Sequence, residues 1–172
     1  MTNTVVDLHT HCLPKSWPDL AEKFGYQGWV SLEHCADCCA NMIVDGKIFR
    51  EIDDRCWDPE RRLRDCDLCG VDVQVLSTVP IMFGYWAPAR DTLEVARFLN
   101  DHLAETVAGN PTRFQALGTI PMQDPDLAIR ELERCVRELG LRGIEIGSHV
   151  NDWNLDAPEL FPVFEACQRL DV

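Results

Sequence analysis

The sequence predicts an α/β fold of the (β/α)-barrel type, and three observations lead there. Short apolar runs of strand length alternate with longer amphipathic segments along the chain. Two of the longer segments open on Asp-Pro and close at glycine, the N-cap, first-turn and C-cap chemistry of helices. Strands that alternate strictly with helices pair in parallel through right-handed crossovers.

The elements follow in order. Val5–Leu8 is the first strand, ending on His9-Thr10-His11. An irregular stretch rich in Trp, Gly, His and Cys occupies about 12–56 and reads as a small insertion after that strand. Asp58-Pro59 starts a helix that Gly70 ends, and Val71–Ser77 is the next strand. A long helix is expected from about Asp91 to Ala108, with Leu93, Ala96, Leu99, Leu103 and Val107 on one face, stopped by Gly109-Asn110-Pro111. Phe114–Ile120 is the third strand, followed by a helix capped by Asp124-Pro125 and ended by Gly140. Gly143–Gly147 is a fourth strand and Asp156–Leu170 a fourth helix, with Asp171-Val172 expected to begin a fifth strand. Four and a half β/α units in 172 residues are about half of a closed barrel, which needs eight units and typically about 250 residues. The expectation is therefore one incomplete barrel domain over 1–172.

Composition narrows the function. The chain is 46% hydrophobic and 26% charged, ordinary for a globular protein. A net charge of −13 argues against a nucleic-acid surface, and no apolar run approaches the ~20 residues of a membrane span. The N-terminus lacks a basic region and an apolar signal core, so a cytosolic location is expected. An odd count of nine cysteines then reads as free thiols in a reducing compartment. Phosphate-cradling glycine loops and nucleophile elbows are absent.

The chemistry starts at His9 and His11. Side chains two apart on a strand share a face, so both imidazoles project together from the carboxyl end of the first strand, where barrel enzymes build their sites. Two neutral imidazoles there read as the first half of a divalent-metal site; two solvated histidines are the bland alternative. Cys35-x-x-Cys38 and Cys66-x-x-Cys69 raise a structural zinc site, against which Cys66 and Cys69 fall inside a helix, where buried or incidental thiols are the default. His149 follows the fourth strand and is read as a rim or loop-stabilising residue. His102 is read as a surface side chain. Trp86 and Trp153 either line a pocket wall or pack a lid.

At this level of detail the chain resembles the aminocarboxymuconate-semialdehyde decarboxylases of the amidohydrolase superfamily. The resemblance is carried by HTHCLPKSWPDL (9–20), FGYQGWV (24–30), DGKIFREI (45–52), CWDP (56–59) and STVPIMFGYW (77–86). It continues through GTIPMQDPDLA (118–128), ELERCVRELG (131–140) and IGSHVNDWNLDAPELFPVFEA (146–166). The resemblance implies a TIM-barrel enzyme whose Zn2+ is held by His9 and His11 together with a third histidine and an aspartate, both beyond Val172, as is the histidine base. It implies non-oxidative decarboxylation of 2-amino-3-carboxymuconate 6-semialdehyde, a dicarboxylate of tryptophan–kynurenine catabolism, by hydroxide from a zinc-bound water. Arg50 matches the family's substrate-binding arginine, whose planar fork suits a carboxylate; the residues alone also allow a solvated arginine paired with Glu51 or Asp53. A second substrate arginine from a neighbouring subunit implies a homodimer. Without half of the site, the chain is expected to be inactive alone. A non-catalytic fragment that associates with full-length subunits and a metal-dependent hydrolase on the same scaffold are the alternatives.

Overall fold

The computed structural model describes residues 4–172. Its centre is a parallel sheet of β1 (Val6–Cys12), β5 (Val73–Thr78) and β6 (Phe114–Ala116), in that order. Between β1 and β5 lie α1 (Leu20–Phe24), an antiparallel sheet of β2 (Val30–Ala36), β3 (Cys39–Val44) and β4 (Lys47–Asp53), and α2 (Pro59–Cys69). Then come α3 (Ala89–Gly109) between β5 and β6, α4 (Pro125–Arg137), the two-residue pair β7 (His149–Val150) and β8 (Trp153–Asn154), and α5 (Phe161–Leu170).

The expected caps do form. The Asp58 carboxylate accepts from the amides of Glu60 and Arg61, and Gly70 takes the left-handed conformation at φ 69°. Asp124 accepts from Leu127 N, with Pro125 in the first turn of α4.

Four expectations need correction. The stretch 12–56 is not irregular, because most of it is the β2–β3–β4 meander. Asp45-Gly46, both at positive φ (49° and 72°), make the tight β3–β4 turn, an Asp-Gly signal between apolar runs. The first strand is longer than Val5–Leu8: it runs on to Cys12 and carries both histidines. The segment 143–147 is no full strand: one parallel bridge, Gly118 to Ile144, joins it to the sheet, flanked by hydrogen bonds from Gly118 N to Gly143 O and from Glu145 N to Gly118 O. Asp171-Val172 does not begin a strand; Asp171 is the left-handed cap of α5 at φ 59°, and Val172 N closes onto Cys167 O.

The core has three parts. The antiparallel sheet packs Ala40 and Met42 against Leu13, Trp29, Trp57 and the face of α3 that carries Val95 and Leu99. Leu76, Phe114, Ala116 and Cys135 fill the space between parallel sheet and helices. Ile120, Leu132, Leu160 and Val163 join α4 to α5. The buried face of α3 also carries two polar residues, Thr92 and Asn100, that an apolar pattern does not reveal. Gly118 permits the close approach here, since a Cβ would lie 2.8 Å from Cys135 Sγ.

His102, expected at the surface, is half-buried, and burial lowers its pKa below the usual histidine value, against an opposing pull from Glu105. A group whose folded pKa is depressed contributes stability above its unfolded pKa and loses it as pH falls through the folded value. Stability should therefore decline on acidification below about pH 6.5, the ordinary histidine pKa. In His102→Gln that decline should be shallower by urea titration across the same range; an unchanged slope would contradict the burial.

Candidate metal centre

Within β1 a bulge falls between Asp7 and Thr10: three residue steps on β1 match two on β5 (Gln74 to Leu76). Bulges re-aim side chains next to active sites. His9, inside the bulge, and His11, just beyond it, meet edge to face with ring centroids 5.1 Å apart. The structure thus brings the two predicted imidazoles together. His11 Nδ1 is 3.0 Å from Ser77 Oγ, at the end of β5, and 3.8 Å from Glu145 Oε2, on the segment bridged to Gly118 beyond β6. Ser77 Oγ in turn donates to the Thr10 carbonyl at 3.2 Å. Glu145 Oε2 is buried without a hydrogen-bond partner among the described residues.

Arg62, on α2 and 9% exposed, holds the end of β1 from behind. Its guanidinium donates to the carbonyls of His11 (2.7 Å) and Arg55 (2.6 Å) and to Thr10 Oγ1 (2.5 Å). Leu13 N donates to Cys56 O at 2.9 Å, joining β1 to the turn at 54–56 a second time. A cleft of about 590 Å³ opens beside His11, lined by Thr10, Glu51, Ile52, Asp53, Arg55 and Arg62 among others.

Arg50 is exposed on β4, opposite Met42, with its guanidinium 5.9 Å from the Phe49 ring centroid. It does not line the His11 cleft, although Ile52, on the same face of β4, does. The bland pairing with Asp53 does not occur, because Arg55 holds that carboxylate through Nε at 2.9 Å, which keeps the Asp53 pKa below its usual value.

A second cleft of about 630 Å³ lies at the same end of the sheet, between Tyr85, Trp86, Glu145, His149 and Asn151. His149 is exposed at its rim. Trp86 forms its wall, pressed so closely on Gly28 that a Cβ there would lie 2.7 Å from the indole. Trp153 packs instead with the α4–α5 core.

The cysteines make no second centre. Cys35 and Cys39 are joined in a disulfide across the β2–β3 hairpin, their Cα atoms 5.7 Å apart, where free thiols were expected. The hairpin register is the cause, because it holds the two within bridging distance. Cys66 faces inward on α2, and burial raises its pKa above the usual thiol value, while Cys69 is exposed. Burial pushes Cys12 up to about 11, so it stays a protonated thiol at neutral pH rather than a thiolate ligand.

The two imidazoles of His9 and His11 fit part of a coordination shell for a divalent ion, and the Glu145 carboxylate lies beside His11 Nδ1 rather than in that shell. Among the described residues, no group of three His, Cys, Asp or Glu is placed to hold a metal. Ser77, Glu145 and Arg62 were not singled out from sequence. Ser77 alone carries a legible signal, since it falls at the carboxyl end of a strand.

The chain is 59% identical over 165 residues to a 2-amino-3-carboxymuconate-6-semialdehyde decarboxylase of Dictyostelium discoideum, covering 96% of this chain and 46% of that protein. It is 41% identical over 180 residues to the Caenorhabditis elegans protein of that name, covering 93% and 45%. It therefore spans about half the length of these curated relatives. Among solved structures, a dihydroxybenzoic acid decarboxylase from Polaromonas sp. JS666, with bound manganese and the inhibitor 2-nitroresorcinol, superposes with a TM-score of 0.72. That pair is 31% identical, and the match covers 99% of this chain and 48% of the other. The amidohydrolase family profile matches residues 6–172. With two strand-borne imidazoles at the carboxyl end of a parallel sheet and this match along nearly its whole length, the chain belongs to the amidohydrolase family.

Proposed function

We propose that this chain contributes the first half of the active site of a metal-dependent carboxy-lyase, the decarboxylase of 2-amino-3-carboxymuconate 6-semialdehyde. The observation that carries the proposal is the pairing of His9 with His11 over the Ser77–Glu145 ledge, in a chain 59% identical to a relative named for that reaction. In this reading the sheet is the leading part of a TIM barrel over 1–172, the remaining metal donors and the base come from outside the described residues, and the cytosolic enzyme is a homodimer of tryptophan–kynurenine catabolism. His9 and His11 would hold the ion, Zn2+ by the resemblance. A bound divalent ion supplies Lewis acidity and lowers the pKa of a water. Arg50 binds and orients a substrate carboxylate, and the Trp86 wall excludes water from the apolar side of the substrate.

Three expected results test this. Zn2+ and Mn2+ content after dialysis of the 172-residue protein should be low, because stable zinc sites use three or four protein ligands, and should fall further in His9→Ala/His11→Ala. Equal content in the double variant would refute the assignment. In the complete enzyme, Arg50→Ala should reduce kcat/KM by about 1.5–3 kcal/mol, or about 10- to 150-fold, and Arg50→Lys should recover little of it, since lysine cannot make the bidentate pair. An unchanged kcat/KM would leave Arg50 as a surface charge. The 172-residue protein itself, supplemented with zinc, should show no loss of semialdehyde absorbance above its spontaneous cyclisation; enzyme-dependent decay would mean that the described residues complete the site after all.

A further inference from the structure

We infer that Ser77 and Glu145 lock His11 into the tautomer that carries its proton on Nδ1, so that Nε2 is held as a bare lone pair facing the site. This deepens the metal-centre reading above and rests on it. Two observations converge. A serine hydroxyl has one proton, and at Ser77 that proton is donated to the Thr10 carbonyl. The 3.0 Å contact between Ser77 Oγ and His11 Nδ1 is then satisfied only if the histidine donates and the serine accepts. Independently, Glu145 Oε2 lies 3.8 Å from the same nitrogen, buried and without any other partner among the described residues. A carboxylate there attracts an N–H dipole and repels a lone pair. Both neighbours therefore favour the same tautomer, and neither touches Nε2.

The consequence is a division of labour around one imidazole. A histidine that ligates a metal through one nitrogen commonly donates its other N–H to a carboxylate, carbonyl or hydroxyl, which fixes ring orientation and raises the basicity of the ligating atom. Ser77 and Glu145 are positioning residues of this kind. Each reaches His11 only through the tertiary fold, from the ends of β5 and of the segment beyond Gly143. His9, by contrast, is exposed and has no such pair of neighbours among the described residues, so the two imidazoles are not equivalent.

The test is side-chain 15N NMR on the metal-free 172-residue protein, above the ordinary histidine pKa at about pH 8. Long-range 1H–15N correlations report which ring nitrogen carries the proton. In the wild type, His11 should be the Nδ1–H tautomer. In Ser77→Ala/Glu145→Gln it should revert toward the Nε2–H form that a free histidine side chain favours in water, while His9 stays as it was. Zn2+ affinity of the double variant should fall about 10- to 100-fold. A wild-type His11 in the Nε2–H form, or an Nδ1–H form that survives the double substitution, would overturn the inference. The wild-type spectrum decides without any variant, so the inference stays falsifiable should the double variant fail to fold. If the tautomer behaves as expected but Zn2+ moves neither His9 nor His11 resonances, the metal-centre reading fails while the tautomer assignment stands.

Discussion

Glu131→Ala is expected to destabilise the chain by about 3–5 kcal/mol, the cost of removing one partner from a buried ion pair. Glu131 is fully buried on α4 and faces α3. Its carboxylate accepts from Arg134 at 2.8 Å, from Arg97 at 3.1 Å and from Asn100 Nδ2 at 2.8 Å. Asn100, also fully buried, donates to and accepts from the backbone of Thr119, so the network joins α3, α4 and the strand extension beyond β6. Loss of the carboxylate strands an amide and a mostly buried guanidinium, which the Glu131 hydrogen bonds hold protonated far above neutral pH. A domain of this size loses about 2–4 °C of Tm per kcal/mol, so the transition should fall by about 10 °C. Glu131→Gln keeps the acceptor for Asn100 and should cost less. A double-mutant cycle with Asn100→Ala should show a coupling of about 1 kcal/mol or more, because the two share one hydrogen bond. A loss below about 1 kcal/mol in thermal unfolding would show that the pair merely offsets its own desolvation.

Arg62→Ala is the second substitution with a large expected effect, about 3 kcal/mol. It removes charge-assisted bonds to two main-chain carbonyls, each worth about 1.5–3 kcal/mol before relaxation. Those carbonyls belong to His11 and Arg55, so the loss also frees the histidine-bearing end of β1 from the turn at 54–56. Arg62→Lys should restore less than half, since an ammonium cannot span both carbonyls and Thr10 Oγ1 as the planar fork does. The signature separating this from a purely global defect is the histidine pair. Below the unfolding transition, Zn2+ should perturb His9 and His11 less in Arg62→Ala than in the wild type. Equal perturbation and equal urea midpoints would leave Arg62 as packing alone.

The legible elements share a property: their information is local. Asp58, Asp124 and Gly70 announce helix ends because each cap bonds an amide or carbonyl within a few residues. His9 and His11 are legible as a pair because strand alternation places them together. Asp45-Gly46 carried an equally local hairpin signal, and the meander around it was readable in principle.

By itself, then, the sequence determined the α/β alternation, most helix boundaries, the paired imidazoles and the family, all of which rest on spacing within a turn or strand or on runs of matching residues. The tertiary structure alone decided what surrounds those imidazoles. Ser77 meets His11 across 66 residues, Arg62 reaches its carbonyl across 51, and Asn100 meets Glu131 across 31. It also decided that 143–147 pairs through a single bridge and that Asp171 turns α5 off rather than opening a strand. The physical reason is that a hydrogen bond between distant residues leaves no periodicity in the chain. Only the parallel register of β1 with β5, and the packing of helices against it, specifies which buried donors find which acceptors.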